Sequence, residues 1–173
     1  MRKTLSILFC FLTLTLFTQA QSNEIQTNGK VCGMPSTSCR DFEAHDLGFR
    51  LPAKMTWQKN YYSAFFYAIM LKSRPAVNDQ NVDDDNCRNG FYQEAERLRI
   101  QSLFPDHKVF ASRNGCYVPS VWYTNTNAAY EFIAVYAGQT EAAAKAYLRK
   151  VKSRSEFSDA SIRRMKVVYG FGD

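Results

Sequence analysis

A chain of 173 residues, 46% hydrophobic and 14% aromatic, has enough apolar material for one self-sufficient core and too much for a disordered segment. Its formal charge is +6, and loss of a basic leader carrying Arg2 and Lys3 would lower it to +4, too small an excess to argue for nucleic acid as a partner. After the first twenty residues no stretch is apolar for long enough to span a bilayer, so the chain is not expected to be membrane-spanning.

Residues 1–20 have the three parts of a secretory signal: basic Arg2 and Lys3, an apolar run over 5–17, and Thr18-Gln19-Ala20 as a small-residue cleavage site. The protein is therefore expected to be exported, to a periplasm or beyond the cell, with Gln21 as its mature start. Cys10 sits inside the apolar run behind bulky Phe9, which argues against lipid attachment there. Cys32, Cys39, Cys87 and Cys116 remain, an even number that points to disulfides with three possible pairings.

Residues 21–30 are polar and read as a loose leader, and 31–60 as an irregular, disulfide-pinned extension with little periodicity, leaving 61–173 as the domain proper. From Tyr61, YYSAFFYAIMLKS has the aromatic and branched content of a buried strand. The loop after it delivers Asp83, Asp84 and Asp85 to the start of a helix over 86–103, where carboxylates meet the positive end of the dipole. Phe104-Pro105-Asp106 and the short strand HKVFAS follow. Beyond an irregular 113–129 connection come the strand EFIAVYAG, a helix over Glu141–Lys152 capped by Thr140, and the final strand ASIRRMKVV.

The order strand, helix, strand, strand, helix, strand implies an α+β fold of the split βαβ kind (βαββαβ): a four-stranded antiparallel sheet, first and third strands central, with both helices on one face. The two halves share a pattern. Phe66, Ala68 and Ile69 match Phe132, Ala134 and Val135, and Phe104, Asp106 and Val109 match Phe157, Asp159 and Ile162, as a duplicated unit would.

In VYAGQTEAAAKAYLRKVK, and more loosely in FYAIMLKS with EAERLRIQSLF, the sequence resembles the SPOR family, small exported bacterial modules of this element order that bind glycan strands of peptidoglycan. The similarity covers about 65–168. It implies a non-catalytic binding module for peptidoglycan or another anionic envelope polymer. Lys72 stands where the family often has a glycine, and the 113–129 connection is long for it.

Helix and strand rise add a covalent expectation. A helix over 86–103 climbs roughly 25 Å and a strand over 107–113 descends roughly 20 Å, which returns Cys116 to Cys87 and leaves Cys32 to pair with Cys39.

Alternation along the strands sorts their residues into two faces. Tyr67, Ile69, Leu71, Ile133, Val135 and Ala137 should face the helices. Phe66, Ala68, Met70, Phe110, Phe132, Ala134 and Tyr136 should line the other side, with Lys108, Arg163 and Met165 from the outer strands. An aromatic floor with basic edges suits sugar stacking, so Phe66, Met70, Phe110, Phe132, Tyr136 and Arg163 are the candidate glycan-binding residues. The competing reading is a structural or protein-interaction domain in which residues 40–60, with Phe42, Phe49, Leu51 and Trp57, lie over that face as packing.

The basic segment Lys145, Arg149, Lys150, Lys152, Arg154, Arg163, Arg164 and Lys166 reads either as an attractor for an anionic surface or as a solvated face. Catalysis and metal binding find no motif. The 79–85 run alternates oxygen ligands as a calcium loop does, but has Asp84 where the turn glycine belongs and Gly90 where the glutamate belongs. His45 and His107 lie in no ligand spacing, the Asp41, Glu43 and Asp46 cluster is an ordinary acidic loop, and no nucleophile elbow occurs. The chain reads as non-enzymatic, without cofactor or metal.

Overall fold

The computed structural model describes residues 24–26 (without their side chains), 29–37, 39, 46–76, 94–112 and 121–171. The signal segment, Phe42, Cys87, Cys116, the 79–85 run, the expected first turns of the helix from residue 86, and the Asp41, Glu43 and His45 group lie outside the described residues. In chain order the strands are β1 (Glu24–Gln26), β2 (Lys59–Tyr62), β3 (Phe66–Pro75), β4 (Val109–Ala111), β5 (Val121–Tyr123), β6 (Tyr130–Tyr136), β7 (Ser161–Met165) and β8 (Val167–Phe171). Helices α1 (Glu94–Leu103) and α2 (Glu141–Lys152) follow β3 and β6, and a 3-10 turn spans Ser155–Phe157.

The fold is α+β. Its first sheet, ordered β4-β6-β3-β7 and wholly antiparallel, is the split βαβ sheet with its first and third strands, β3 and β6, central. The matched residues of the two halves meet in one row across it. Val109 pairs with Val135, Val135 with Ile69, and Ile69 with Ile162, so the row reads the same from either edge. Phe104 and Phe157, another matched pair, pack at 5.7 Å between ring centroids.

Both helices lie on one face, where Ile69, Leu71, Ile133 and Val135 meet Ile100, Phe104, Ala144 and Val151. Local chemistry starts α2 cleanly. Gly138 takes φ 101°, a backbone conformation that suits glycine, and Thr140 is extended with its Oγ1 accepting the Ala143 N–H at 3.2 Å. Glu141 opens the helix and Arg149, Lys150 and Lys152 close it, each on the favourable side of the dipole.

The other face is not open. A second sheet, ordered β1-β2-β8-β5 and antiparallel except for the parallel β1–β2 pair, covers it. Tyr61, Val121, Tyr123, Val167 and Tyr169 from this sheet, with Leu47 and Phe49 from the extension, form one core with Phe66, Phe110, Phe132, Tyr136 and Met165. The sequence reading missed this sheet because it took two bent runs for straight strands. YYSAFFYAIM divides into β2 and β3 at Ser63-Ala64-Phe65, and SIRRMKVV divides into β7 and β8 at Lys166.

The two bends adjoin, since β2 pairs with β8 and β3 with β7. Tyr62 is opposite Val168 and Phe66 opposite Met165, so residues 63, 64 and 65 face only 166 and 167. One surplus residue on one strand of an antiparallel pair bends the ribbon, as a bulge does. Side chains replace the interrupted ladder. Ser63 N–H donates to Val167 O at 3.0 Å while Val167 N–H donates to Ser63 Oγ at 2.9 Å; Thr124 N–H donates to Lys166 O at 3.0 Å while Lys166 N–H donates to Thr124 Oγ1 at 2.8 Å.

The extension belongs to the same core. The expected domain boundary at 60/61 falls inside β2. Cys32 and Cys39 are disulfide-bonded, with Cα atoms 6.1 Å apart. Beside that loop Cys32 N–H donates to Gly48 O at 2.8 Å, and Lys108 N–H donates to Gly33 O at 2.9 Å, which adds the extension to the β4 end of the first sheet. Gly33 lies against the Tyr136 ring, and a Cβ there would come within 2.2 Å of its carbons.

Lys72, unusual for the resembled family, sits at the register shift between β3 and β6 and anchors a charge network. Its ammonium lies 2.6 Å from Glu96 and 3.1 Å from Glu156, and Arg99 bonds both carboxylates as well. Hydrogen bonds from Arg99 and then Lys72 hold the Glu96 carboxyl at about 2, and Glu156 is lowered by the same two donors, Arg99 first. Carboxylates depressed in the fold add stability above their ordinary value near 4.5 and lose it as pH falls toward 2. The thermal midpoint is thus expected to hold from neutral pH to about 5 and to drop below 4.5; in Lys72→Met, scanned by circular dichroism, the acid-side drop should be shallower. Gly33→Ala, which forces the clip off Tyr136, should cost about 1–3 kcal/mol in urea denaturation.

Candidate functional site

The structure brings five of the six expected glycan-binding residues onto one face, as alternation along the strands implied, and closes that face. Phe66, Phe110, Phe132 and Tyr136 are buried and Met70 is half-buried, all in the core between the two sheets. The rings are spent on one another. Phe66 stacks on Tyr136 at 5.9 Å and meets Phe110 edge-on at 6.2 Å, while Phe132 meets Phe110 and Tyr123 edge-on. Tyr136 has Phe66 on one side and the Gly33 backbone against its ring, so no face is left for a sugar. Assignment of a glycan-stacking role to these five residues is corrected accordingly: they are core. The sixth, Arg163, is exposed, and its Nη1 donates to Asn125 O at 3.0 Å across the β5–β6 connection. Lys108, expected at the floor's edge, is half-buried and donates through Nζ to Asp46 O. Burial lowers its pKa.

Covering the floor leaves a different surface where aromatic and cationic groups coincide, at the sheet corner. The surplus residue there turns Phe65 outward, 43% exposed, while its neighbour Phe66 is fully buried. The Arg164 guanidinium lies 3.7 Å over the Phe65 ring, and the Lys166 ammonium lies 4.7 Å from the same ring and 5.4 Å from that of Tyr62. Arg164 is placed by its strand. It pairs with Tyr67 in the β3–β7 register, and its carbonyl accepts from Asn125 Nδ2 at 3.2 Å.

Helix α2 packs on β3 and on β7, the strand that carries Arg164. With Ala144 and Val151 buried and Leu148 half-buried against the sheet, helical spacing sets Lys145, Arg149 and Lys152 on a neighbouring stripe, and all three are exposed. Lys145 bonds Glu141, and its pKa is raised chiefly by that hydrogen bond. Arg149, Lys152 and Arg164 make no ion pair among the described residues. Arg154 lies on the opposite flank of α2, over Phe104 at 5.6 Å with its Nη2 on Leu103 O.

Sequence reasoning had Arg164 and Lys166 in its basic segment but not Phe65 beside them, because a strand drawn straight through SAFF gives no reason to separate Phe65 from Phe66. The available signal was the small pair Ser63-Ala64 interrupting a run of aromatics. Among the described residues no group of three or more His, Cys, Asp or Glu could hold a metal ion, and no helix is long and apolar enough to cross a membrane.

Phe66→Ala should cost about 3–5 kcal/mol of stability and Phe65→Ala less than about 1 kcal/mol, measured by urea denaturation, because one empties a core position and the other trims a corner. No protein-family model matches the chain, and neither a curated protein nor a solved structure is significantly similar to it.

Proposed function

We propose that the protein is an exported, non-catalytic binding module that attaches to peptidoglycan or another anionic polymer of the cell envelope through the corner patch. The observation that carries this reading is the outward Phe65 with the Arg164 guanidinium laid over it, on the strand against which helix α2 packs with Arg149 and Lys152 exposed and in no ion pair among the described residues. Aromatic rings offer sugars a stacking surface, and a positive field concentrates a polyanion near it. The secretory-signal pattern and the resemblance to SPOR modules support the same reading, although the contact surface differs from the sheet face that the resemblance suggested.

A second reading, a secreted structural or protein-interaction domain, is favoured by Trp57. It is 62% exposed on the turn before β2, edge-on to Phe171 at 5.5 Å, and a large exposed aromatic of this kind suits a protein partner.

The test is co-sedimentation of the mature protein with purified peptidoglycan, its fold checked by far-UV circular dichroism. Binding is expected in dilute buffer and should weaken as salt screens charges beyond about 10 Å at 0.1 M. The triple substitution Lys145→Gln, Arg149→Gln, Lys152→Gln should abolish most of the salt-sensitive part. Folded wild-type protein that stays in the supernatant with this and other envelope polyanions would overturn the proposal and leave the Trp57 reading.

A further inference from the structure

We infer that Arg164 is the oxyanion-binding residue of this surface, held against Phe65 so that its N–H fork can take a carboxylate or phosphate oxygen pair of the polymer. The inference rests on the reading above and assigns the chemistry of its contact.

Four features coincide at Arg164 and at no other arginine among the described residues. A guanidinium carbon 3.7 Å from a ring centroid is in contact with the ring face, which restricts the side chain, while Arg164 as a whole stays exposed. Its backbone is fixed on two sides, by pairing with Tyr67 and by the Asn125 amide on its carbonyl. No carboxylate among the described residues takes up its donors, whereas Arg74 and Arg99 are bonded to Glu131 and to Glu96 with Glu156, and Arg97 to Glu94 and the Val109 carbonyl. The ammonium of Lys166, a buried residue, lies 4.7 Å from the same ring and helps to hold Phe65 in place beneath the guanidinium.

A planar fork that is already ordered loses less freedom on taking an oxyanion than a free lysine does, and it binds two oxygens at once. Contact of this kind depends on shape as well as charge. Arg164→Lys keeps the charge and removes the fork, and Phe65→Leu keeps apolar bulk and removes the flat platform.

Carboxylate and phosphate groups share this chemistry, and two probes separate them: polygalacturonate and inorganic polyphosphate, titrated against the full mature protein at 0.15 M salt. Arg164→Lys is expected to weaken binding about tenfold, and Phe65→Leu several-fold, with folding verified by circular dichroism. Arg154→Lys, where the arginine lies over Phe104 on the other flank with a donor already on Leu103 O, should bind as wild type does. Loss confined to polygalacturonate identifies sugar carboxylates as the source of the anion, and loss confined to polyphosphate identifies phosphates. Arg164→Lys binding both polymers as tightly as wild type overturns the assignment alone and leaves a purely electrostatic surface. Wild type binding neither polymer nor peptidoglycan overturns the envelope reading and this assignment with it.

Discussion

The architecture depends on one bend shared by two strand pairs. At residues 63–65 and 166 the ribbon formed by β2–β3 and β7–β8 leaves one sheet and enters the other, and the mismatch of three residues against two makes straight continuation impossible. Backbone groups that leave a ladder inside a protein must find other partners. Ser63 and Thr124 supply them with short hydroxyl side chains, which place an oxygen close to the main chain. With the bend in place, the aromatic floor of the first sheet acquires a lid from the same chain, and the two sheets share one apolar interior. The outward Phe65 is a product of the same geometry, so the interior and the candidate binding surface have a common origin.

Most of the first sheet was legible in the sequence, and the reason lies in periodicity. In FYAIML and FIAVY every second residue belongs to one face, and the structure divides Phe66, Ala68, Phe132, Ala134 and Tyr136 from Ile69, Ile133 and Val135 accordingly. Thr140 ahead of an alanine-rich run marks the start of α2, because an N-cap hydroxyl is a local device that needs no tertiary context. The second sheet was illegible for the opposite reason. Its strands VWY, KNYY and VVYGF are short, and their identity comes from partners distant in the chain: Tyr61 opposite Tyr169, Val121 opposite Tyr169 on the other side. Periodicity over three to five residues carries little information.

The candidate site was illegible for a subtler reason. Both readings of the aromatic face, open or covered, agree on which residues line it, since alternation assigns a face and says nothing of what lies above. Phe49 and Leu47 do lie over the floor, as the covered reading expected of residues 40–60, but most of the lid comes from β2, β5 and β8. Trp57, expected to lie over the floor with them, is instead exposed. What binds sugar in one protein and what packs against a second sheet in another are the same residue types, because both demand flat apolar area.

The position of β8 has a consequence for how the chain acquires its structure. This strand, Val167–Phe171, sits between β2 and β5 and pairs with both, and the Ser63–Val167 bonds close a loop of 104 residues. Strand β2 cannot complete the second sheet until Val167–Phe171 is available, so the contact order of this sheet is high. The aromatic floor stays uncovered until then. An apolar floor left open in that interval is a surface on which unfolded chains can associate, so the pairing of β8 protects the chain from aggregation as well as completing the second sheet.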